Sequence, residues 1–104
     1  MAKVKPEILE IIRKYISLLQ ENGFNILGAY LFGSYANGNP NEWSDIDLAV
    51  ISSNFEGNRI LDKEMILGLY RKIDLRLSIL PLNTEGLDSF FIQKEVVNKG
   101  IKVA

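Results

Sequence analysis

The chain has 104 residues, of which 47% are hydrophobic and 24% charged, a composition typical of one packed globular domain over residues 1–104. Twelve basic residues against thirteen acidic ones give a formal net charge of -1, so no overall positive field favours direct binding to nucleic acid or to an anionic membrane. The absence of cysteine and histidine excludes disulfides, thiol nucleophiles, zinc sites and imidazole bases, and leaves carboxylates, hydroxyls and oxygen-preferring metal ions for any chemistry.

The first two predicted elements are an amphipathic helix and a central strand. Apolar residues recur at helical spacing from Ile8 to Leu19 after Pro6, and Asn22-Gly23 supplies the stop. Charged residues interrupt this segment, so it is predicted to be neither a secretory signal nor a membrane span, and a cytoplasmic location is expected. The segment Phe24–Phe32 is apolar on both faces, which predicts a central strand.

The middle of the chain is predicted as loop, strand, turn and helix. Gly33–Ser44 has loop composition, with one helical turn expected after Gly33-Ser34. Asp45–Ile51 is predicted as the second strand and Ser52–Asn58 as a turn. A helix is predicted over Arg59–Arg71, with an apolar side formed by Leu61, Met65, Leu69 and Tyr70.

The last third is predicted as strand, helix and strand. Ile73–Leu80 alternates between apolar and polar residues, and Pro81 is expected to end that strand. A helix capped by Thr84 is expected to continue through Val97 and to stop at Asn98-Lys99-Gly100, before a short strand over Ile101–Val103. The element order is therefore α-β-β-α-β-α-β, and the expected fold is α/β (α+β), a small mixed β-sheet flanked by helices.

Asp45 and Asp47 lie two residues apart in the second predicted strand, so the pleat points both carboxylates to the same face. Two like charges in an apolar strand lose hydration and repel each other unless a cation or hydrogen bonds compensate. A hard ion such as Mg²⁺ does this with oxygen ligands. The alternative is that the strand begins at an exposed end, where both carboxylates are solvated or cap the backbone.

Gly33-Ser34 directly follows a predicted strand. Glycine lets the backbone approach a ligand, and a following helical turn offers amide groups to phosphate. The same pair is also a common turn sequence. No P-loop and no dinucleotide-binding glycine pattern is present.

Asp74 places another carboxylate between apolar residues of a predicted strand. If that strand neighbours the one carrying Asp45 and Asp47, three acids share one patch, which could hold two divalent ions for phosphoryl transfer. The alternative for Asp74 is an ion pair with Arg76, which shares its face.

The combination Leu31-Phe32-Gly33-Ser34, Gly38, Ser44-Asp45-Ile46-Asp47-Leu48 and Ile73-Asp74-Leu75 resembles the signature of the polymerase-β-type nucleotidyltransferase superfamily. The short length, Gly-Ser-Tyr-Ala-Asn-Gly and Val97-Asn98-Lys99-Gly100-Ile101 resemble its minimal nucleotidyltransferases, the MNT proteins. The resemblance covers nearly the whole chain.

The resemblance implies an enzyme with a nucleotide-binding loop and a metal site. Gly33 and Ser34 would cradle the terminal phosphates, while Asp45, Asp47 and Asp74 would be the catalytic and metal-binding acids for Mg²⁺, with two ions expected. Such proteins move a nucleoside monophosphate, here expected to be AMP from ATP, to an acceptor hydroxyl and release pyrophosphate. Minimal members pair with small helical HEPN ribonuclease toxins, some of which they adenylylate, so an antitoxin role is implied.

One departure from the family pattern is that Asn37 precedes Gly38 where many relatives have Arg or Lys. Arg76 is a candidate nucleotide-binding residue that could replace this charge, or it could simply neutralise Asp74. An alternative function follows, namely an inactive binding module that neutralises a helical toxin by occlusion.

The expected site also lacks the helical domain of larger relatives, so a partner or a second subunit of a homo-oligomer must complete it. The exposed side of the first helix or Phe90-Phe91 could form that surface, although aromatic pairs in small domains are more often core. Trp43 could stack on a base or anchor its loop.

Overall fold

The computed structural model describes residues 4–38, 40–41 and 44–104, and its strands form one mixed sheet. They are β1 (Ile26–Phe32), β2 (Ile46–Ser52), β3 (Leu77–Leu82) and β4 (Ile101–Lys102), arranged in the order β3-β2-β1-β4. Strand β1 is antiparallel to both β2 and β4, whereas β2 is parallel to β3. The predicted mixed sheet and the central position of β1 are confirmed.

The described helices lie on both faces of the sheet. One face packs against the first and third helices, and the other packs against the C-terminal helical segments. The helices are α1 (Pro6–Glu21), α2 (Ser34–Asn37), α3 (Arg59–Ile73), α4 (Thr84–Leu87), α5 (Phe90–Ile92) and the π-helical α6 (Gln93–Asn98).

Strand β2 divides the core into two clusters because its side chains alternate between the faces. Leu48 and Val50 join the cluster under α1 and α3, while Ala49 and Ile51 join the cluster under α5 and α6. All four are at most 2% exposed. A strand that is apolar on both faces is therefore covered on both faces, as its sequence predicts.

Helix α1 confirms its predicted boundaries. Its N-terminal turn begins at Pro6, where a missing amide hydrogen costs no helical bond. At the other end, the Asn22 side chain donates to the Leu18 carbonyl at 2.8 Å. The buried stripe consists of Ile8, Ile12, Tyr15, Ile16 and Leu19.

Helix α3 exists as predicted, but only half of its predicted apolar side faces the core. Tyr70 is buried and Leu69 is partly buried against the core cluster. Leu61 and Met65 are about half exposed, whereas Asp62 and Ile66 are fully buried. The Asp62 carboxylate accepts hydrogen bonds from the amides of Glu56 and Gly57, at 2.8 and 2.9 Å. The inward face at the start of α3 therefore includes a buried acid whose oxygens are satisfied by the preceding loop.

The predicted single C-terminal helix is also wrong, because it is broken into three short segments. The Asn83 side chain, not Thr84, caps α4 by accepting from the Gly86 amide at 2.8 Å. Ser89 then adopts an extended conformation, and its hydroxyl accepts from the Ile92 amide. Ser89 thus restarts the helix as an N-cap within the predicted element.

The boundaries of β3 differ from the prediction at both ends. Helix α3 continues to Ile73 and Asp74 caps it, so the strand begins only at Leu77. Leu75, expected on the buried face, is 84% exposed. Pro81 lies within β3 rather than ending it, which is tolerated because β3 is an edge strand.

Within the described residues, no helix combines the length and the apolar character that crossing a membrane would need.

The Tyr15 hydroxyl is buried in the core cluster under α1 and α3 and has no hydrogen-bond partner among the described residues. Burial raises the pKa of this phenol above its ordinary value. We expect Tyr15→Phe to leave the free energy of unfolding unchanged or to raise it by about 1 kcal/mol, since no bond is lost. Urea denaturation measures this. The control Tyr15→Ala should cost about 3–5 kcal/mol through lost packing, and a comparable loss in Tyr15→Phe would contradict the prediction.

Candidate functional site

Asp47 is the charged residue at the beginning of β2, on the face covered by the C-terminal helices. It pairs across the sheet with Phe32 of β1 and with Ser78 of β3. Asp45 precedes the strand, which begins at Ile46, and is exposed. Partial burial, followed by the neighbouring charge of Asp45, raises the pKa of the Asp47 carboxyl. Burial and a neighbouring like charge therefore both disfavour an ionised Asp47 unless a cation or hydrogen bonds compensate.

Neither carboxylate is already used by the fold. Within residues 4–38, 40–41 and 44–104, no hydrogen bond or ion pair engages the side chain of Asp45 or Asp47. Partly buried carboxylates usually have partners. Their oxygens are therefore available to a ligand.

Gly33 packs against the Asp47 carboxylate at the turn between β1 and α2. A Cβ on this residue would overlap Asp47 Oδ2 and lie 3.2 Å from its Cγ. With φ of 74° and ψ of -150°, the backbone is also in a conformation that essentially only glycine adopts. The close approach of backbone and carboxylate thus requires glycine at this position.

The predicted helical turn after Gly33-Ser34 is confirmed as α2. The amides of Ala36 and Asn37 are bonded to the Gly33 carbonyl, at 3.1 and 3.0 Å. The amides of Ser34 and Tyr35 precede these bonds, as in the first turn of any helix. Two backbone donors and the Ser34 hydroxyl thus directly follow Gly33, the residue that packs against the Asp47 carboxylate.

A cleft of about 520 Å³ opens beside Gly33 on the same face of the sheet. Phe32, Leu80 and Val96 supply its apolar walls. Glu95 and Lys99 line it from the C-terminal end, and Lys99 Nζ lies 3.1 Å from Glu95 Oε2. The cleft has the size and the mixed apolar and polar lining typical of a small-molecule site.

Asp74 and Arg76 form an ion pair with each other, and neither bonds to Asp47. The Asp74 carboxylate accepts from Arg76 Nε at 3.1 Å and from Nη2 at 3.0 Å, and it also accepts from the Arg76 amide at 2.8 Å. These hydrogen bonds hold the pKa of the Asp74 carboxyl below its ordinary value, and the pair raises the pKa of Arg76. Of the two interpretations open from sequence, the geometry favours the ion pair.

The predicted patch of three carboxylates is not formed. Among the residues that the structure describes, no three acidic side chains are grouped closely enough to hold a metal ion. Asp45 and Asp47 supply two carboxylates without a partner among the described residues, and because carboxylate oxygen is the donor type that Mg²⁺ prefers, the chemistry of this pair suits one such ion. The roles of individual acids stay predictions.

The other residues singled out from sequence are Asn37, the Phe90-Phe91 pair and Trp43. Asn37 is exposed at the end of α2, where it supplies no positive charge. Phe90 and Phe91 are 82% and 63% exposed, so the expectation that such a pair is core is wrong here. Trp43 lies outside the described residues.

Sequence reasoning missed the C-terminal wall of the cleft. Phe91, Glu95 and Lys99 all line it and are spaced four residues apart. That spacing places residues on one side of a helix and was available as a signal. The apolar residues of the same segment favour a core helix and mask this signal.

Comparison with known proteins identifies the family. Residues 13–104 match the polymerase beta nucleotidyltransferase family. The chain belongs to this family.

Two relatives of this nucleotidyltransferase-family chain come from Methanocaldococcus jannaschii, and each is similar over 48 residues, or 46% of this chain. The candidate protein adenylyltransferase MJ1305 is 44% identical over 32% of its own length. The candidate protein adenylyltransferase MJ1215 is 46% identical over 55% of its length. The matched segment thus spans less than two thirds of either relative.

Solved structures of similar fold include two toxin–antitoxin crystal structures. One, with AMP-PNP, has a TM-score of 0.64 and 28% identity, and the match covers 88% of this chain and 71% of that one. A mutant of the toxin–antitoxin MntA-HpeT gives a TM-score of 0.62 and 26% identity with the same coverage. A candidate nucleotidyltransferase from Sulfolobus solfataricus, with a TM-score of 0.66 and 18% identity over 98% of this chain and 89% of that one, shows likeness of fold alone.

Gly33→Ala tests the contact between the turn and the carboxylate. We expect it to displace the Asp47 side chain and to cost about 1–3 kcal/mol of stability through backbone strain. Thermal denaturation and the ability to bind Mn²⁺ measure the two effects. Gly68→Ala is the matched control, because nothing lies within 4 Å of its added methyl group. Equal stability and equal Mn²⁺ binding of the two variants would refute the proposed close contact.

Asp74→Asn tests the ion pair with Arg76 through pH. Because the pKa of Asp74 is lowered in the fold, its stabilising effect is fully present above the ordinary aspartate value and is lost as the pH falls through the lowered one. We expect the variant to be less stable than wild type near neutral pH and equally stable in acid. Urea denaturation at several pH values measures this, and Arg76→Gln should reproduce the pattern. A stability difference independent of pH would argue against the pair.

Proposed function

We propose that this protein is a Mg²⁺-dependent nucleotidyltransferase that moves AMP from ATP to a hydroxyl group of a partner protein in the cytoplasm. The observation that carries the proposal is the arrangement at Gly33, which lines the 520 Å³ cleft and also packs against the Asp47 carboxylate, a group without a partner among the described residues. A nucleoside triphosphate needs both features, because its phosphates need a cation and its nucleoside needs a cleft.

The chain's own residues have distinct roles in this proposal. Asp45 and Asp47 would hold Mg²⁺, which when bound neutralises phosphate charge and supplies Lewis-acid chemistry. The Ser34 hydroxyl and the amides of α2 would orient the terminal phosphates, and Gly33 lets them approach closely. The apolar walls of the cleft would exclude water from the nucleoside.

Relatives support the nucleotide and the reaction. One toxin–antitoxin neighbour was crystallised with AMP-PNP, an ATP analogue. Both relatives from Methanocaldococcus jannaschii bear names indicating protein adenylyltransferases. In another neighbour, the mutated residues are two aspartates two positions apart, the same spacing as Asp45 and Asp47.

The partner we propose is a small helical toxin of the HEPN type, which makes this chain an antitoxin. Structural neighbours are toxin–antitoxin proteins, and the resemblance of the motifs to MNT proteins points to this toxin class. Phe90 and Phe91 stand exposed next to the cleft, as expected for residues covered by a partner that presents its hydroxyl there.

A second candidate function is neutralisation by occlusion without transfer. It is favoured by the missing third carboxylate among the described residues and by the neutral, exposed Asn37. An occluding module needs the fold and the exposed aromatic surface but not the two free aspartates. The two functions therefore differ in whether the carboxylates of Asp45 and Asp47 are required.

The deciding experiment is transfer of label from α-labelled ATP, with Mg²⁺, to a purified candidate partner, namely the product of the gene adjacent to the one that encodes this chain. We expect label on that product with wild-type protein and none with Asp45→Asn/Asp47→Asn, because the neutral pair no longer holds the cation. Asp88→Asn, an exposed aspartate outside the cleft, should transfer normally.

Unchanged labelling by the double variant would refute a catalytic role of the two aspartates. A tight complex with full toxin inhibition but without any label would establish the occluding module instead.

A further inference from the structure

The register of the sheet places Ser78, and not Asp74, beside Asp47. Asp47 is opposite Ser78 in the parallel pair of β2 and β3. Adjacent strands lie about 4.8 Å apart, and residues opposite each other point to the same face. The next residues in register, Leu48 and Ile79, both belong to the other face of the sheet, under α1 and α3. Ser78 and Asp47 therefore share the face that carries the cleft.

Asp74 does not occupy this place in the structure. It lies before β3 begins, as the residue that ends α3, and its amide is bonded to the Tyr70 carbonyl at 3.2 Å. Both of its carboxylate oxygens accept hydrogen bonds from Arg76. In contrast, the partly buried Ser78 has no hydrogen bond from its side chain within the described part of the chain.

We infer that Ser78 is the third residue of the cation site, so that this chain offers two carboxylates and one neutral hydroxyl to a divalent ion. The inference rests on the proposed role of Asp45 and Asp47 and refines it. A hydroxyl is an oxygen ligand but brings no negative charge, and affinity for hard cations rises with the number of charged ligands. The site therefore holds one divalent cation weakly in the absence of nucleotide, instead of the two expected from three acids.

The first test is Mn²⁺ binding to the purified chain without nucleotide, followed by electron paramagnetic resonance. We expect Ser78→Asp to tighten Mn²⁺ binding by about tenfold, because it adds a charged ligand. Ser78→Asn, similar in size but neutral, should bind like wild type, and so should Asp74→Asn. Circular dichroism confirms that each variant folds.

A second test avoids adding a third carboxylate to the site. The chain contains no cysteine, so Ser78→Cys introduces a single thiol, which binds the soft ion Cd²⁺ as thiolate. We expect an ultraviolet thiolate-to-Cd²⁺ charge-transfer band that is lost when Asp47→Asn is added. Ser17→Cys, an exposed position on α1, is the control and should give only the weak band of an isolated thiol.

Two outcomes would overturn the inference. Ser78→Cys giving no more signal than Ser17→Cys would place residue 78 away from the cation. A loss of Mn²⁺ binding in Asp74→Asn as large as that in Asp47→Asn would restore Asp74 as the third ligand. If the proposed function itself is wrong, the result is distinguishable from both of these outcomes, because Asp45→Asn/Asp47→Asn would then bind Mn²⁺ like wild type.

Discussion

The burial of β2 on both faces is the constraint on which the rest of the structure depends. From Leu48 to Ile51 every side chain is at most 2% exposed, so the strand needs a helical layer above and below it and a paired strand on each side. A charge can be tolerated only where this enclosure ends. Asp47 lies at that end, partly buried, and the fold thus creates a carboxylate that is both poorly solvated and accessible to a ligand.

The strands and the loop of the site were predictable because local signals specify them. The apolar faces of β1 and β2 indicate central strands, and Gly33-Ser34 indicates a turn that the structure places against Asp47. The position of the third acid was not predictable in this way. The alternation of apolar and polar residues around Asp74 is typical of a strand, but helix α3 continues to Ile73. The register between the parallel strands β2 and β3 depends on where each of them begins. Period-2 alternation fixes which face a residue joins but does not distinguish offsets that differ by two residues.

Polar residues explain the other differences between sequence and structure. In the first half of α3, the Asp62 carboxylate faces inward with both oxygens bonded to the preceding loop, while Leu61 and Met65 are about half exposed. Ser89 interrupts a helix that hydrophobic spacing alone makes continuous, because its hydroxyl offers the backbone another hydrogen bond. Where such local bonds compete with periodicity, the pattern of apolar residues predicts that an element exists but not how it is oriented or divided.

Pro81 has a consequence for how this protein can associate. An edge strand normally exposes a row of backbone donors and acceptors on which another chain can add a strand. A proline within an edge strand removes one donor from the solvent side of that row. Strand β3, although it forms one border of the sheet, is thus a poor template for β-augmentation or for ordered self-aggregation. Recognition of another protein along this border would have to depend on side chains rather than on extension of the sheet.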